Sequence, residues 1–460
     1  MAKQVCLLAA LLLSGLSSAM PVTESVNDPR SLAERSTILP SEDLFYSVPA
    51  NISAYAPGQI IGYRKPPAPI AAFSMDPVNL EASWQIHYRT TDNFGEATAT
   101  VLTVLVPHNA DLSKVLSYQV AEDAASVNCG PSYALQLESA TGELLGTMAT
   151  QAELLLIEAG LEQGWVVILP DHEGPVGAYL ANLLSGHATL DGIRAALAST
   201  AFTGIQSSAR VGLWGYSGGS LASAWAAELQ PAYAPELATS IVGVALGGTV
   251  PNISNVITTI DRTPFAGLLP VGIMGISRQY PLVQQIVDTR ILPQYRAKFA
   301  RVRDNCFVNE MLDFLLDTHI TAMVDDPSVF TSPAVMAILN ENALGSHVPT
   351  IPLYVYKSRR DEVSPIADTD DLVSKYCAGG ASVHYTRDLV SEHATLAVLG
   401  APRALGWLIN ALDGNRQTGC KTRTTMSSML DISTLTIVPK LLVNALLALL
   451  SGDVGPAFIG

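Results

Sequence analysis

The pattern of apolar and polar positions divides the chain into strands and helices. Residues 84–89 alternate apolar and polar side chains and residues 98–106 are rich in Val, Thr and Leu, which predicts two antiparallel strands. Further short β-type runs follow at 115–120, 165–170, 210–214, 241–246, 351–356 and 382–385. Helical periodicity separates several of these runs. This alternation predicts an α/β fold with a mostly parallel sheet covered by helices on both faces.

Helical spacing replaces the strand rhythm in one long central stretch. Residues 150–161 and 180–198, and a segment starting near Gly219, have the helical pattern expected between strands. Residues 249–348 contain no β-type run, and their apolar residues recur at helical spacing. We therefore expect a helical cap at 249–348, inserted into a core formed by residues 41–248 and 349–424.

The two ends of the chain have different compositions from the core. Residues 1–19 combine Lys3, an apolar run and small residues before a cleavage position, as in a secretory signal peptide, so we expect a secreted, extracellular protein. Residues 20–40 are interpreted as a leader or pro-segment. In the terminal segment 425–460, the apolar run 441–450 is too short for a transmembrane anchor and predicts a packed helix or flap.

Composition and charge narrow the classes of function. The chain has 460 residues, of which 48% are hydrophobic and 15% charged, so it can bury a large core. Its formal net charge of −15 opposes binding to phosphate backbones, and we expect no nucleic-acid partner. We expect a monomer.

A Gly-x-Ser-x-Gly motif at 215–219 is the sharpest chemical signal. It directly follows the predicted strand 210–214 and directly precedes a helix, which is the context of a nucleophile elbow with Ser217 exposed at the turn. The alternative is a glycine-rich loop that caps a helix. The strand and helix on either side favour the nucleophile.

A serine nucleophile needs a base and an orienting acid, which in the α/β-hydrolase fold follow it in the order Ser, Asp or Glu, His. Asp361 and His393 each follow a predicted strand and fit this order. The side chain of His384, inside the strand 382–385, would be fixed against a sheet face, so His393 is the better base. The acids that compete with Asp361 are Asp368, Asp370 and Asp371.

A metal site is a further possibility at 171–173. His172 lies between Asp171 and Glu173 after the strand 165–170, but adjacent ligands lack the i, i+4 spacing of a zinc-binding helix. We interpret this stretch as a hydrogen-bonded loop, and we expect no metal and no cofactor.

Several separate motifs carry a family resemblance. The elbow at 215–219, the loop 171–174, and the stretches 190–194 and 233–237 together resemble the secretory lipases of yeasts and fungi, the group of Candida antarctica lipase A. The similarity extends to Arg89-Thr90-Thr91 and to Glu392-His393, so it covers almost all of the chain after the signal peptide.

The resemblance implies an α/β-hydrolase core with a helical cap, triacylglycerol hydrolysis, and a triad of Ser217, Asp361 and His393. It also implies that the amides of Gly218 and Asp123 form the oxyanion hole; Asp123 follows the predicted strand 115–120, where such donors occur. The sequence departs from the family at Ala121, where a bulkier aromatic residue is found, so acyl-chain preference is not transferred.

The cysteines and two sequons fit a secreted protein. Removal of the signal peptide leaves an even number of cysteines, which predicts two disulfides without fixing the three possible pairings. The family resemblance implies the pairs Cys129–Cys306 and Cys377–Cys420. Asn51 and Asn252 start Asn-Ile-Ser sequons and are candidate glycosylation sites.

These observations predict a secreted lipase that cleaves fatty-acid esters at a lipid–water interface through an acyl-enzyme. A carboxylesterase or acyltransferase acting on soluble esters would use the same three residues, and a peptidase on this fold is also an alternative. A non-catalytic lipid-binding protein is the alternative from another class; it would be expected to lose a member of the triad.

Overall fold

The computed structural model describes residues 38–72, 76–137, 139 and 148–428. The predicted signal peptide at 1–19, the leader up to residue 37 and the C-terminal segment from residue 429, with its apolar run 441–450, lie outside the described residues.

Strands and helices alternate along most of the described chain. Its twelve strands are β1 (Ile60–Arg64), β2 (Ala71–Ala72), β3 (Asp76–Pro77), β4 (Ala82–Thr91), β5 (Ala97–Val106), β6 (Asp111–Gln119), β7 (Trp165–Pro170), β8 (Arg210–Tyr216), β9 (Ile241–Gly247), β10 (Leu353–Ser358), β11 (Val383–Asp388) and β12 (Lys421–Thr425). Its thirteen α-helices are α1 (Pro131–Ala134), α2 (Met148–Leu161), α3 (Asn182–Ala198), α4 (Thr200–Thr203), α5 (Gly218–Tyr233), α6 (Ile253–Ile260), α7 (Leu268–Ile276), α8 (Pro281–Arg290), α9 (Arg296–Arg301), α10 (Phe307–Asp313), α11 (Pro333–Glu341), α12 (Ile366–Ala378) and α13 (His393–Leu412).

Ten strands form one sheet in the order β1-β4-β5-β7-β6-β8-β9-β10-β11-β12. In this sheet order, the neighbouring strands from β7 through β6 to β12 are parallel. The pairs β1–β4, β4–β5 and β5–β7 on the other side of the sheet are antiparallel. The prediction of an α/β fold with a mostly parallel sheet and two early antiparallel strands is confirmed.

The core lies on both faces of this sheet because the central strands bury side chains in both directions. On β7, Val166 and Ile168 pack into one apolar layer together with Trp225 of α5. Val167 and Leu169 point to the opposite layer, which contains the α2 and α13 side chains. Burial on both sides explains why these strands are continuous apolar runs rather than alternating ones.

The predicted element boundaries agree with the structure to within a few residues, with a physical cause for one difference. The helix predicted from residue 180 begins at Asn182 because Leu180 has a φ of 67°, in the left-handed region that a right-handed helix excludes. The edge strands β1 and β12 were not predicted. All but one residue of β12 is exposed, and its sequence Lys-Thr-Arg-Thr-Thr lacks apolar alternation.

Helices α6 to α11 occupy the chain between β9 and β10, where the only β-type pairing among the described residues is an isolated bridge of Ile291 with Val324. A disulfide between Cys129 and Cys306 ties this region to the loop that follows β6. The second disulfide, Cys377–Cys420, joins the end of α12 to the residue before β12.

One helix in the described part of the chain, α13, is long and apolar enough to cross a membrane by length and composition. More than half of it is buried inside the protein, where Leu396, Leu405 and Leu408 pack in the core. It therefore has the character of a core helix.

Candidate active site

Ser217 lies at a strained turn between β8 and α5. Its φ of 52° and ψ of −119° are adopted rarely by residues with a side chain, and its amide donates to the Gly247 carbonyl at 2.9 Å. The next strand therefore fixes the backbone at Ser217. The strand–turn–helix context predicted for the Gly-x-Ser-x-Gly motif is present.

Glycines on both sides of Ser217 are required by close backbone contacts. A Cβ at Gly215 would lie 2.2 Å from the Gly219 carbonyl oxygen, and a Cβ at Gly219 would lie 2.0 Å from the Gln119 carbonyl oxygen. Both neighbours are backbone atoms that cannot move aside as a flexible side chain can. The turn can be this tight because neither glycine has a side chain.

His393 contacts both of its expected partners. Its Nε2 lies 2.8 Å from the Ser217 Oγ, and its Nδ1 lies 2.7 Å from the Asp361 Oδ2. His393 is the first residue of α13; its amide donates to the Glu362 carboxylate at 2.9 Å, and its carbonyl accepts from the Tyr216 hydroxyl. The imidazole is therefore anchored through its backbone as well as through its ring.

Asp361 is a buried carboxylate with a full set of donors. Its Oδ1 accepts from the amides of Val363 at 3.0 Å and Ser364 at 2.8 Å, and its Oδ2 contacts the Lys357 Nζ at 2.8 Å as well as His393. Burial opposes ionisation, but His393 and Lys357 together hold the pKa of this carboxyl well below its usual range.

The competing acids and the competing histidine have other partners. Asp368 accepts from Asn255, and Asp370 pairs with Tyr385 and Arg387. Asp371 is exposed. His384 lies on β11 and hydrogen-bonds the backbone of Thr418.

Asp123 and Gly218 lie side by side next to Ser217. Asp123 has a φ of 41°, and its Oδ1 is close enough to Gly218 that a Cβ there would lie 1.9 Å from it. The side chain is hydrogen-bonded to Tyr179, while Oδ1 has no hydrogen-bond partner among the described residues. Burial raises the pKa of the Asp123 carboxyl to about 7.

A cluster of buried acids surrounds the Asp123 loop. The Glu173 carboxyl group accepts from the Ala124 amide at 3.3 Å and also from the Asp123 amide. Burial, reinforced by neighbouring Asp123 and Asp171, holds the pKa of Glu173 well above its usual range. The amides of Asp123 and Ala124 partly offset this rise by donating to the carboxyl group.

An apolar cavity opens on Ser217. It encloses about 1020 Å³ of space, part of it open to solvent, and the polar residues that line it in the described part of the chain are Asp123, Tyr179 and Ser217. Aliphatic side chains of the helices between β9 and β10 form most of the wall, among them Ile253, Ile257, Ile260, Leu269, Ile273 and Ile276. A site of this character accommodates a hydrocarbon chain with its polar end at the serine.

His172 lies in a buried loop after β7. Its Nε2 is 2.8 Å from the Val120 carbonyl, its amide donates to Glu122 at 2.8 Å, and burial lowers its pKa to about 4. The preceding Asp171 accepts from the amide and hydroxyl of Ser132. Among the described residues no three His, Cys, Asp or Glu side chains are arranged to hold a metal ion.

The family model described as "Secretory lipase" matches residues 139–420. The chain belongs to the secretory lipase family. It is 49% identical over 428 residues to Lipase A of Arthroderma benhamiae, covering 92% of this chain and 91% of that one. It is 38% identical to Lipase 1 of Candida albicans, covering 83% of both chains.

Solved structures agree with this family. The X-ray structure of Candida antarctica lipase A matches with a TM-score of 0.78 at 28% identity, over 92% of this chain and 99% of that one. An esterase, LipA from Xanthomonas oryzae, matches with a TM-score of 0.57 at 15% identity and shows the fold alone. Membership of the family places the protein among the lipases, which are ester hydrolases, with an α/β-hydrolase fold.

Some residues of the site were not predicted from the sequence of this secretory lipase. Lys357 contacts Asp361, and Tyr179 contacts Asp123. Neither Lys357 nor Tyr179 belongs to a recognised motif. A signal for Lys357 exists, because it directly follows the apolar run 351–356 in a strand that ends at Ser358. A lysine in such a buried strand requires a carboxylate partner.

The two sequons lie in different surroundings. Asn51 is exposed beside the short helix Ile52–Ala54. Asn252 is half-buried and caps α6, with its Oδ1 accepting from the Asn255 amide at 3.2 Å. Glycosylation of both asparagines stays a prediction.

Proposed function

We propose that this secretory lipase hydrolyses triacylglycerols and related fatty-acid esters through an acyl-enzyme formed on Ser217. The proposal rests above all on one observation: the hydrogen-bonded series Ser217, His393, Asp361 ends at the wall of an aliphatic cavity. A nucleophile, a base and an acid in this order can perform acyl transfer.

The reaction has two halves. The Ser217 Oγ attacks the ester carbonyl carbon as the His393 Nε2 takes its proton, while Asp361 holds the imidazole and stabilises its charge. The tetrahedral intermediate collapses, the C–O bond to glycerol breaks, and His393 returns the proton to the departing alcohol. Water then attacks the acyl-enzyme by the same route and releases the fatty acid.

The amides of Gly218 and Asp123 are the proposed donors to the oxyanion. Their support is the position of Asp123 against Gly218 and the left-handed backbone at Asp123. Two preorganised N–H groups at a developing oxyanion contribute roughly 10²–10³ in turnover each.

The substrate class follows from the lining of the cavity. Among the described residues, the polar groups that line the cavity are Asp123, Tyr179 and Ser217, and none of these residues places a charged side chain along an acyl chain beyond the reacting end. The region between β9 and β10 is, in this proposal, the cap that encloses the chain.

Action outside the cell and at a lipid–water interface completes the proposal. Two disulfides are typical of an oxidising compartment. Leu312 in the last turn of α10 is 51% exposed, and Leu315 and Leu316 just after this helix are 48% and 95% exposed, so these apolar side chains are available for contact with lipid.

Three substrates separate this function from its alternatives. Initial rates on an emulsified triglyceride, a short p-nitrophenyl ester and a matched amide are compared for the wild type and Ser217→Ala. A lipase cleaves both esters, and its rate on the triglyceride rises sharply once the substrate forms an emulsion. Activity on the soluble ester alone indicates a carboxylesterase. Cleavage of the amide indicates a peptidase, and the absence of turnover on all three substrates indicates a lipid-binding protein.

A further inference from the structure

A fully buried lysine stands behind the proposed triad. Lys357 is the fifth residue of β10, and its side chain has 0% exposure. Its Nζ lies 2.8 Å from the Asp361 Oδ2 and donates to the Thr249 carbonyl at 2.8 Å. The ammonium therefore joins the end of β10 to the loop after β9 and to the acid.

Lys357 and His393 share one carboxylate oxygen. The Asp361 Oδ2 contacts the Lys357 Nζ at 2.8 Å and the His393 Nδ1 at 2.7 Å, whereas Oδ1 is held by the amides of Val363 and Ser364. The two amides already fix the carboxylate plane. The distinctive contribution of Lys357 is a positive charge at the oxygen that faces the base; burial lowers the pKa of Lys357, and the Asp361 carboxylate opposes that effect.

That charge acts on the Asp361–His393 pair as a unit. Each of these groups would bind a proton, and a nearby cation makes proton binding to either less favourable. The interaction is strong because the Lys357 and Asp361 side chains are both fully shielded from solvent. It opposes the effect of burial, which alone would favour a protonated Asp361.

We propose that Lys357 is a positioning residue of the triad, whose buried ammonium fixes the Asp361 carboxylate and keeps the Asp361–His393 pair free of an extra proton in acidic medium. The inference rests on the proposed function. The Lys357 charge lets the enzyme work at lower pH. It does so without any contact between Lys357 and the substrate, because Lys357 does not line the cavity.

Other charged or titratable groups face this pair from the surrounding elements. Asp368 of α12 and Glu362 act on Lys357, in addition to Asp361 itself. Around His393 lie the Asp123 carboxyl, the Glu362 carboxylate and the Tyr216 hydroxyl. The Glu362 carboxylate would favour a protonated imidazole, whereas the Asp123 carboxyl is neutral in acid and adds no charge there. Lys357 is the cation that opposes Glu362 among the groups named here.

The test is the pH profile of kcat/KM on a soluble p-nitrophenyl ester. Lys357→Gln removes the charge and keeps a polar donor, Lys357→Met removes both, and Lys357→Arg keeps the charge. Lys114→Gln, which removes a surface lysine paired with Asp413, is the matched control. Wild type and Ser217→Ala are measured in the same assay.

We expect the acid limb of Lys357→Gln and Lys357→Met to move to higher pH by on the order of one unit, with KM unchanged. The acid limbs of Lys357→Arg and Lys114→Gln should stay within about 0.2 unit of wild type, well below that one-unit electrostatic shift. An unmoved acid limb in folded Lys357→Gln overturns the proposal. The proposal is also overturned if Lys357→Gln and Lys357→Arg both fail to fold, because Lys357 would then serve the stability of the fold. Activity in Ser217→Ala instead counts against the proposed function.

Discussion

The Nε2 of His393 lies 2.8 Å from the Oγ of Ser217, although 176 positions separate them in the chain. The sheet brings them together. Ser217 follows β8 and His393 follows β11, and parallel strands end at the same edge of a sheet, so residues in the loops after them converge. The third residue, Asp361, follows β10, which lies next to β11.

If Asp361 is the acid of the triad, its replacement should lower kcat far more than replacement of the neighbouring Asp368 or Asp371. Asp361→Asn should lower kcat on ester substrates by about four orders of magnitude, because an amide can hold the wrong tautomer of His393. Asp368→Asn and Asp371→Asn are matched controls on α12 and should change kcat by less than about threefold, as expected for residues outside a catalytic unit. Steady-state kinetics on a p-nitrophenyl ester gives the ranking, and the reverse order would remove Asp361 from the triad.

The Asp123 carboxyl predicts a loss of activity above neutral pH. With a pKa of about 7 it is neutral in acid and negative in alkali, and a negative charge beside Gly218 opposes an oxyanion. We expect kcat of the wild type to fall as pH rises through about 7, and Asp123→Asn, which is always neutral there, to lose this decline. An equal decline in both proteins would show that another group causes it.

Buried acids away from the site predict greater stability in acid. Glu158 on α2 is 4% exposed, its Oε2 has no hydrogen-bond partner among the described residues, and burial raises its pKa to about 8. Between its ordinary pKa near 4.5 and 8, the folded protein keeps this proton and the unfolded chain loses it. The free energy of unfolding therefore falls as pH rises through this window.

Thermal unfolding measures this effect. The Tm of Glu158→Gln should exceed that of wild type at pH 8 and approach it at pH 4, because the amide does not ionise. The exposed Glu96→Gln is the control and should follow the wild type. A wild-type Tm that rises between pH 5 and pH 8, with Glu158→Gln following it, would contradict the assignment.

Much of the fold follows from local signals in the sequence. The run 165–170 coincides with β7 because a strand buried on both faces needs continuous apolar residues. The elbow was predicted from its pattern because the two glycines around Ser217 are imposed by backbone contacts within a few residues and with β6. Asp361 and His393 followed from their places after strands.

The residues that were missed depend on distant contacts. The role of Lys357 comes from Thr249 and from the loop that carries Asp361, and no local pattern encodes that pairing. The edge strand β12 is polar because its outer side faces solvent, so it has neither alternation nor a continuous apolar run. Its position is set by pairing with β11.

The exposed leucines beside α10 predict a defect confined to interfaces. Leu316 is 95% exposed, and replacing it with Ser removes apolar area that would enter a lipid surface. Leu316→Ser should bind an emulsion up to about tenfold more weakly, the equivalent of about 1.4 kcal/mol, and leave hydrolysis of a soluble ester unchanged. The control is Leu44→Ser, at 86% exposure in the short helix Leu44–Tyr46. Equal effects of both variants on emulsion binding would remove the α10 surface from the account.

The central claim is that Ser217 carries the acyl group. The most direct measurement compares the initial rates of wild type and Ser217→Ala on an emulsified triglyceride and on a p-nitrophenyl ester, after circular dichroism has shown that both proteins are folded. The account predicts a loss on the order of a million-fold on both substrates, because removing one oxygen removes the nucleophile. A folded Ser217→Ala that retains more than about a tenth of the wild-type rate would contradict it.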